Sequence, residues 1–212
     1  MLEQKNTSNR AGSQTQNAGT AEKLARDGFK VFPCGPDKRP LVKWRDRATA
    51  DPDQIARWWA KWPDAMPGLP TGEANGLSVV DLDVGGAKDG LAAARALGID
   101  PHSADLIVRT AGGGLHLYYD HALGVVNSAT KAGLDVRGEG GYVIAPGAVG
   151  KAGRYSVQKG NLAAAKLLGL SPFPAALRQR PERPEEAPQN PGSHDVADPP
   201  ASPLLRPQRW LL

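Results

Sequence analysis

The sequence predicts an α+β or mixed α/β domain built on one twisted sheet, and three observations carry this. Short apolar runs with strand character, Leu77–Asp83 above all, stand between Gly- and Pro-rich turns. Helical stretches interleave with strands in the first half, and strands dominate the second. Composition then sets a middle zone, 20–170, apart from both ends. Residues 1–19 are rich in Ser, Asn, Gln, Gly and Thr and are expected to be a disordered tail. Residues 171–212 hold ten of the nineteen prolines and five acidic against five basic residues, and are expected to form a second one. That stretch includes Leu204, Leu205, Trp210, Leu211 and Leu212, an apolar group that reads as a chance of the chain end or as a docking peptide.

Taken in order, Thr20 can cap a helix over Ala21–Asp27, with Gly28 ending it. Phe29–Phe32 reads as a strand stopped by Pro33, and a loop follows to about Ala48. Asp51-Pro52, an acidic cap with proline in the first turn, starts a helix that carries Ile55, Trp58, Trp59 and Trp62 and stops at Pro63. Leu77–Asp83 is a strong strand, and Gly85-Gly86 a turn. Lys88–Leu97 is a helix ended by Gly98. Leu106–Thr110 and Leu115–Tyr119 are strands around Ala111-Gly-Gly-Gly114, and Leu134–Val136 and Tyr142–Ala145 are strands around Gly138-Glu-Gly-Gly141. Asn161–Leu168 closes the zone as a helix.

Several functions are excluded by what the chain lacks. No apolar run approaches the ~18 residues of a membrane span, and residues 1–19 have no apolar segment of secretory type. A cytoplasmic setting with no membrane partner is therefore expected. The single cysteine, Cys34, rules out an internal disulfide and a cysteine-based zinc cluster. No Gly-x4-Gly-Lys-Ser/Thr occurs, so the chain carries no P-loop motor. Net charge of +4 and a pI near 9.3 suit a polyanionic partner without requiring one.

Four segments can carry chemistry. Asp81 and Asp83 alternate with Leu82 along a strand, so both carboxylates share one face, with Cα atoms ~6.5–7 Å apart. Such a pair can hold hard divalent cations, or can be surface charge where a strand meets solvent. Next, Ala111-Gly-Gly-Gly114 precedes His116. Backbone N–H groups there, at Gly113 and Gly114 among them, can form an anion nest, or the glycines can be a loose hairpin turn. His116 alternates with Leu115 and Leu117 and so faces away from the leucine side. Third, Asp135 sits between Leu134 and Val136, where an acid must be exposed, paired or metal-bound; Arg137 shares its face, so an ion pair and metal binding are both open. Fourth, Lys30, Lys38, Arg39, Lys43, Arg45 and Arg47 surround Trp44, as a phosphate backbone or nucleobase would require; alternatively this is a solvated loop anchored by a buried Trp44. Trp58, Trp59 and Trp62 are at helical spacing and read as core.

In order and spacing, these segments resemble the bifunctional DNA primase/polymerase N-terminal domain of the archaeo-eukaryotic primase superfamily, common in plasmids, phages and integrated elements. The resemblance runs over about 20–170, through Gly28-Phe-Lys-Val-Phe-Pro33, Lys38-Arg-Pro40 with Trp44, Ala48-Thr-Ala-Asp-Pro52 and Trp58-Trp59, Thr71-Gly72, Val80-Asp-Leu-Asp83, Thr110-Ala-Gly-Gly-Gly-Leu-His116, Asp135-Val-Arg-Gly138 and Gly141-Tyr-Val-Ile-Ala-Pro146. It implies a primase-type catalytic core with an RRM-like mixed or antiparallel sheet and an α/β N-terminal module beside it. It also implies template-directed nucleotidyl transfer from (d)NTPs on single-stranded DNA, for primer synthesis and extension in replication. Asp81, Asp83 and Asp135 would match the acidic motifs that hold two Mg²⁺ or Mn²⁺ ions, and no zinc is expected. His116 would contact the nucleotide phosphates, with Lys38 and Arg137 as phosphate or acid-orienting partners. A helicase would be supplied separately. The sequence departs from the family at Gly147-Ala148, where relatives often continue Pro-Ser. A non-catalytic nucleic-acid-binding or replisome-recruitment module is the rival reading, and another metal-dependent nucleotidyl or phosphoryl transferase a third.

Overall fold

The computed structural model describes Gly12 and residues 16–130 and 132–178, all within a compact unit spanning Met1–Arg180. A second unit, Pro181–Leu212, lies outside the described residues, as do residues 1–11 and with them most of both expected tails.

The first helix, α1, covers 16–26 and therefore begins before Thr20, which is not its cap. The reason is tertiary. Asn17 is buried, and its amide donates to the Val149 carbonyl at 2.9 Å and accepts from the Val149 N–H at 2.8 Å, which holds an extra helical turn against a distant segment. Gly28, at φ +83°, ends the helix region.

Strand β1 is Phe32–Cys34, displaced from the expected Phe29–Phe32 and running through Pro33. A single helical turn, α2 (Trp44–Arg47), interrupts the expected loop. Helix α3 (Pro52–Lys61) starts as its sequence signals, with the Asp51 side chain accepting from the Asp53 N–H at 3.0 Å. It buries Ile55, Trp58 and Trp59, and the Trp59 indole donates to the Ala65 carbonyl. Strand β2 (Met66–Pro70) was hidden by its two prolines. Pro67 pairs directly with Pro33, and the carbonyls of both turn outward, to the N–H groups of Ala145 and Leu41. No N–H is missed at that position.

Strand β3 (Leu77–Leu82) is followed by a small hairpin, β4 (Val84–Gly85) with β5 (Lys88–Asp89). The hairpin takes Lys88 and Asp89 out of the expected helix, so that α4 is Gly90–Ala96, capped by Asp89. Strands β6 (Leu106–Arg109), β7 (Leu115–Asp120), β8 (Leu134–Arg137) and β9 (Tyr142–Ile144) lie close to where the pattern places them. Short strands β10 (Val149–Gly150), β11 (Gly153–Arg154) and β12 (Ser156–Lys159) escape the pattern, and α5 (Leu162–Leu168) follows, capped by Asn161.

The molecule is α+β with antiparallel sheets and few helices, but the sheet is not single. A five-stranded antiparallel sheet has the order β12-β6-β7-β3-β8, and a separate three-stranded sheet has the order β1-β2-β9. Alternation along the central strands sorts the core in two. Leu77 and Val79 of β3, with Leu106, Val108 and Tyr118, face the first core, which includes α1, α3 and the smaller sheet. Val80 and Leu82, with Ile107, Leu117, Leu134 and Val136, face a second core with Ala94 of α4 and Phe173. Asp81 has the parity of Val79, so it emerges on the side of the smaller sheet, away from α4. Among the described residues, no helix is long and apolar enough to cross a membrane.

Candidate active site

Strand β3 lies between β7 and β8, and its pairing sets His116, Asp81 and Asp135 directly opposite one another in one row. Residues opposed in antiparallel strands project to the same face, with Cα atoms roughly 4.5–5.5 Å apart. The next row on that face is Tyr118, Val79 and Arg137. Two of the three acids thus meet across strands, and Asp83 follows Asp81 on the same side, just beyond the end of β3. Its N–H donates to the Gly133 carbonyl at 2.7 Å, which prolongs the β3–β8 ladder.

A cleft of about 490 Å³ opens over this face, lined by Asp81, Asp83, His116, Arg137, Lys38 and Tyr155 together with the Gly140–Ile144 segment, Trp44, Arg45 and Asn127. Asp135 stands beside it, 13% exposed, with one oxygen accepting from the Thr130 N–H at 3.0 Å. The Arg137 guanidinium donates to Oδ2 of Asp135 at 2.9 Å and to Oδ2 of Asp81 at 3.3 Å, so the ion pair open from sequence exists and extends to a second acid. The Lys88 ammonium lies 2.8 Å from Oδ2 of Asp83 and is held more strongly protonated by it.

His116 is almost wholly buried, and its Nε2 lies 3.5 Å from Oδ1 of Asp81. Burial pushes the imidazole pKa down; Asp81 opposes this, and Arg137 and Lys38 reinforce it. Its Nδ1 is buried with no hydrogen-bond partner. The ring packs 5.8 Å from that of Tyr155. Lys38 is the described non-glycine residue with positive φ, +66°, a conformation that costs energy and is sustained by its surroundings. Its carbonyl accepts from the Tyr142 hydroxyl at 3.2 Å, and its ammonium acts on the Tyr155 hydroxyl, which burial otherwise pushes up.

The far wall is the turn Gly138–Gly141. The Thr71 hydroxyl donates to the Gly138 carbonyl at 2.6 Å, Asn127 accepts from the Gly138 N–H at 3.1 Å, and Arg45 donates to the Gly140 carbonyl at 3.0 Å. The Glu139 carboxylate, about half exposed, accepts from the Glu73 N–H at 2.8 Å. A Cβ at Gly141 would run into Asn127 and Thr71, so glycine is required by packing there.

At two features the sequence leaves two readings open, and the structure bears on each. Gly113 and Gly114 are in the β6–β7 hairpin outside the cleft lining, and a Cβ at Gly114 would collide with the Leu82 carbonyl; that glycine admits a neighbouring strand. Trp44 lines the cleft, but its ring stacks on Phe32 (5.3 Å, 19°), meets Tyr142 edge-on and carries the Arg45 guanidinium at 5.2 Å. The ring anchors the basic loop. Lys88, Tyr155 and Asn127 were not found from sequence. Each reaches the site from a segment without a motif of its own, and no local spacing signals it.

The acids supply oxygen donors of the kind that hard divalent cations prefer. As placed, their charges are met by Arg137 and Lys88, and no group of three or more His, Cys, Asp or Glu among the described residues is arranged around a shared metal position. The donor chemistry fits such a cation, and the protein's own cations stand in its place.

Comparison with family models matches residues 21–189 to bifunctional DNA primase/polymerase, N-terminal. No curated protein matches the chain.

Proposed function

The chain belongs to the bifunctional DNA primase/polymerase N-terminal family, and on that premise we propose that its cleft carries out template-directed nucleotidyl transfer from nucleoside triphosphates on single-stranded DNA. The observation that carries this reading is the register: one row across β7, β3 and β8 sets Asp135 beside Asp81 and His116, which line a cleft of nucleotide-sized volume, about 490 Å³. The strand order supports an RRM-like core. Counting β3, β6, β7 and β8 as first to fourth, the order is second-third-first-fourth, with α4 crossing from first to second.

Asp81, Asp83 and Asp135 would hold Mg²⁺ or Mn²⁺. Bound there, such ions supply activation of a primer 3′-hydroxyl and charge stabilisation at the pyrophosphate leaving group. The remaining work falls to the chain's own groups. His116, kept neutral by burial, directs Nε2–H toward the acid side of the cleft and adds no positive charge to compete with a cation. Lys38 and Arg137 offer cationic donors to phosphate oxygens. The Gly138–Gly141 turn, fastened by Thr71, Asn127 and Arg45, gives the nucleotide a rigid wall. Positioning and electrostatics suffice, and no protein nucleophile is needed.

The rival reading, a non-catalytic nucleic-acid-binding or replisome-recruitment module working through the basic loop and the apolar C-terminal residues, has no use for the acids, and their convergence across β3 and β8 disfavours it. The test is primer synthesis and extension on single-stranded template by Asp81→Asn and Asp135→Asn. Loss of at least about a hundredfold in product, with DNA binding retained, is expected for groups that stabilise charge in the transition state. Product formation equal to wild type in both variants overturns the reading. The same gel, run with NTPs and with dNTPs and with a helicase added separately, assigns the nucleotide preference and the need for a partner.

A further inference from the structure

Arg137 stands where two carboxylates converge. Its guanidinium nitrogen Nη2 is 2.9 Å from Oδ2 of Asp135 and 3.3 Å from Oδ2 of Asp81, and the two acids are only 13% and 16% exposed. Like charges so close and so shielded repel each other unless a cation lies between them. Arg137 is that cation, carried on the same strand as Asp135 and reaching diagonally to β3. A divalent ion shared by Asp81 and Asp135 would need the same position, and it repels the guanidinium.

We infer that Arg137 is a built-in counter-ion, which closes the Asp81–Asp135 pair in the cation-free protein and is displaced toward the open cleft when a divalent cation binds. The inference rests on reading these acids as metal ligands. Two observations favour a displaceable group over a fixed ion pair. Arg137 lines the cleft and its side chain is 33% exposed, so a path out exists. Asp135 keeps a second hold, on the Thr130 N–H at 3.0 Å, so its carboxylate stays oriented once the guanidinium leaves. Asp83, by contrast, is paired with Lys88 where both side chains are about half exposed, 47% and 48%, a pair that is easily opened. The consequence is a linkage. Apparent cation affinity is reduced by the fraction of time Arg137 is away from the acids, so an Arg137 in place nine-tenths of the time weakens it about tenfold.

The experiment uses the full chain, with wild type, Arg137→Gln and Arg137→Lys. Each is melted in EDTA and in Mn²⁺, and Mn²⁺ uptake is measured by calorimetry without nucleotide or DNA. Arg137→Gln is expected to melt lower than wild type in EDTA and to bind Mn²⁺ about tenfold more tightly or better. Arg137→Lys, which keeps the charge but not the fork, is expected in between. Mn²⁺ binding by Arg137→Gln no tighter than wild type overturns the inference, as does an unchanged melt in EDTA. If Arg137→Gln does not fold in EDTA, Arg137→Lys decides in the same way: tighter uptake supports the inference, and equal or weaker uptake overturns it. Asp81→Asn isolates the underlying reading, since wild-type Mn²⁺ affinity in that variant shows that the acids are not metal ligands, whatever Arg137 does.

Discussion

His116 and Asp81 are paired across β7 and β3, with Nε2 of the imidazole 3.5 Å from Oδ1 of the carboxylate, yet burial outweighs the acid and holds the ring below its ordinary pKa of 6.5. The folded protein therefore takes up this proton at lower pH than the unfolded chain. Stability from this group is fully present above pH 6.5 and declines as pH falls through that value toward the depressed one. Thermal melts between pH 5 and 7.5 are expected to show a steeper loss on the acid side for wild type than for His116→Gln. In Asp81→Asn the ring loses the charge that lifts it, so its NMR titration is expected to move further down.

The turn that forms the far wall depends on Thr71 and Gly72. Thr71→Val removes the hydroxyl that donates to the Gly138 carbonyl, and is expected to cost about 1–3 kcal/mol by denaturant unfolding. Gly72 has φ +84°, and a Cβ there would overlap Glu139. Gly72→Ala should therefore cost roughly 2 kcal/mol or more. A change within error for either variant would mean that the turn is held elsewhere.

Trp44 separates an anchor from a stacking platform. As an anchor on Phe32 and Tyr142, Trp44→Leu is expected to lower stability by about 1–3 kcal/mol. The salt dependence of single-stranded DNA binding should stay as in wild type, because the phosphate-facing cations remain. A large loss of binding at unchanged stability would reverse the assignment.

Cys34 is fully buried in β1, and burial, with Asp37 nearby, pushes its thiol far above the usual range. The thiolate is the reactive form. Thiol reagents at pH 8 should label the native chain at least about a hundredfold more slowly than the chain in denaturant. Rapid native labelling would show that β1 opens readily.

How much could be read beforehand differs by element. Helix α3 was legible because its signals are local: Asp51 caps, Pro52 follows, and three aromatic or aliphatic residues recur on one face. Strand β2 was not, because Pro67 and Pro70 speak against a strand until Pro33 is seen opposite Pro67. The start of α1 was missed because the Asn17–Val149 bonds that extend it join residues 132 positions apart. Asp81, Asp83, His116 and Asp135 stood out in the sequence, whereas Lys88, Tyr155 and Asn127 did not, since each has an ordinary local setting.

The chain's local chemistry settled which face each residue of a strand takes: alternation of Cβ atoms puts Asp81 with Asp83 and sets His116 against its leucines, whatever else surrounds them. It could not settle register. Asp135 is opposite Asp81 because Val80 pairs with Val136 and Leu82 with Leu134 over the core beneath α4, and a slip of one residue would have turned the acid into that core. The same long-range packing brought Arg137 to Asp81 and the smaller sheet over the row of acids. Strand geometry is covalent and acts over two residues; register is a property of apolar surfaces that meet only once the chain has folded.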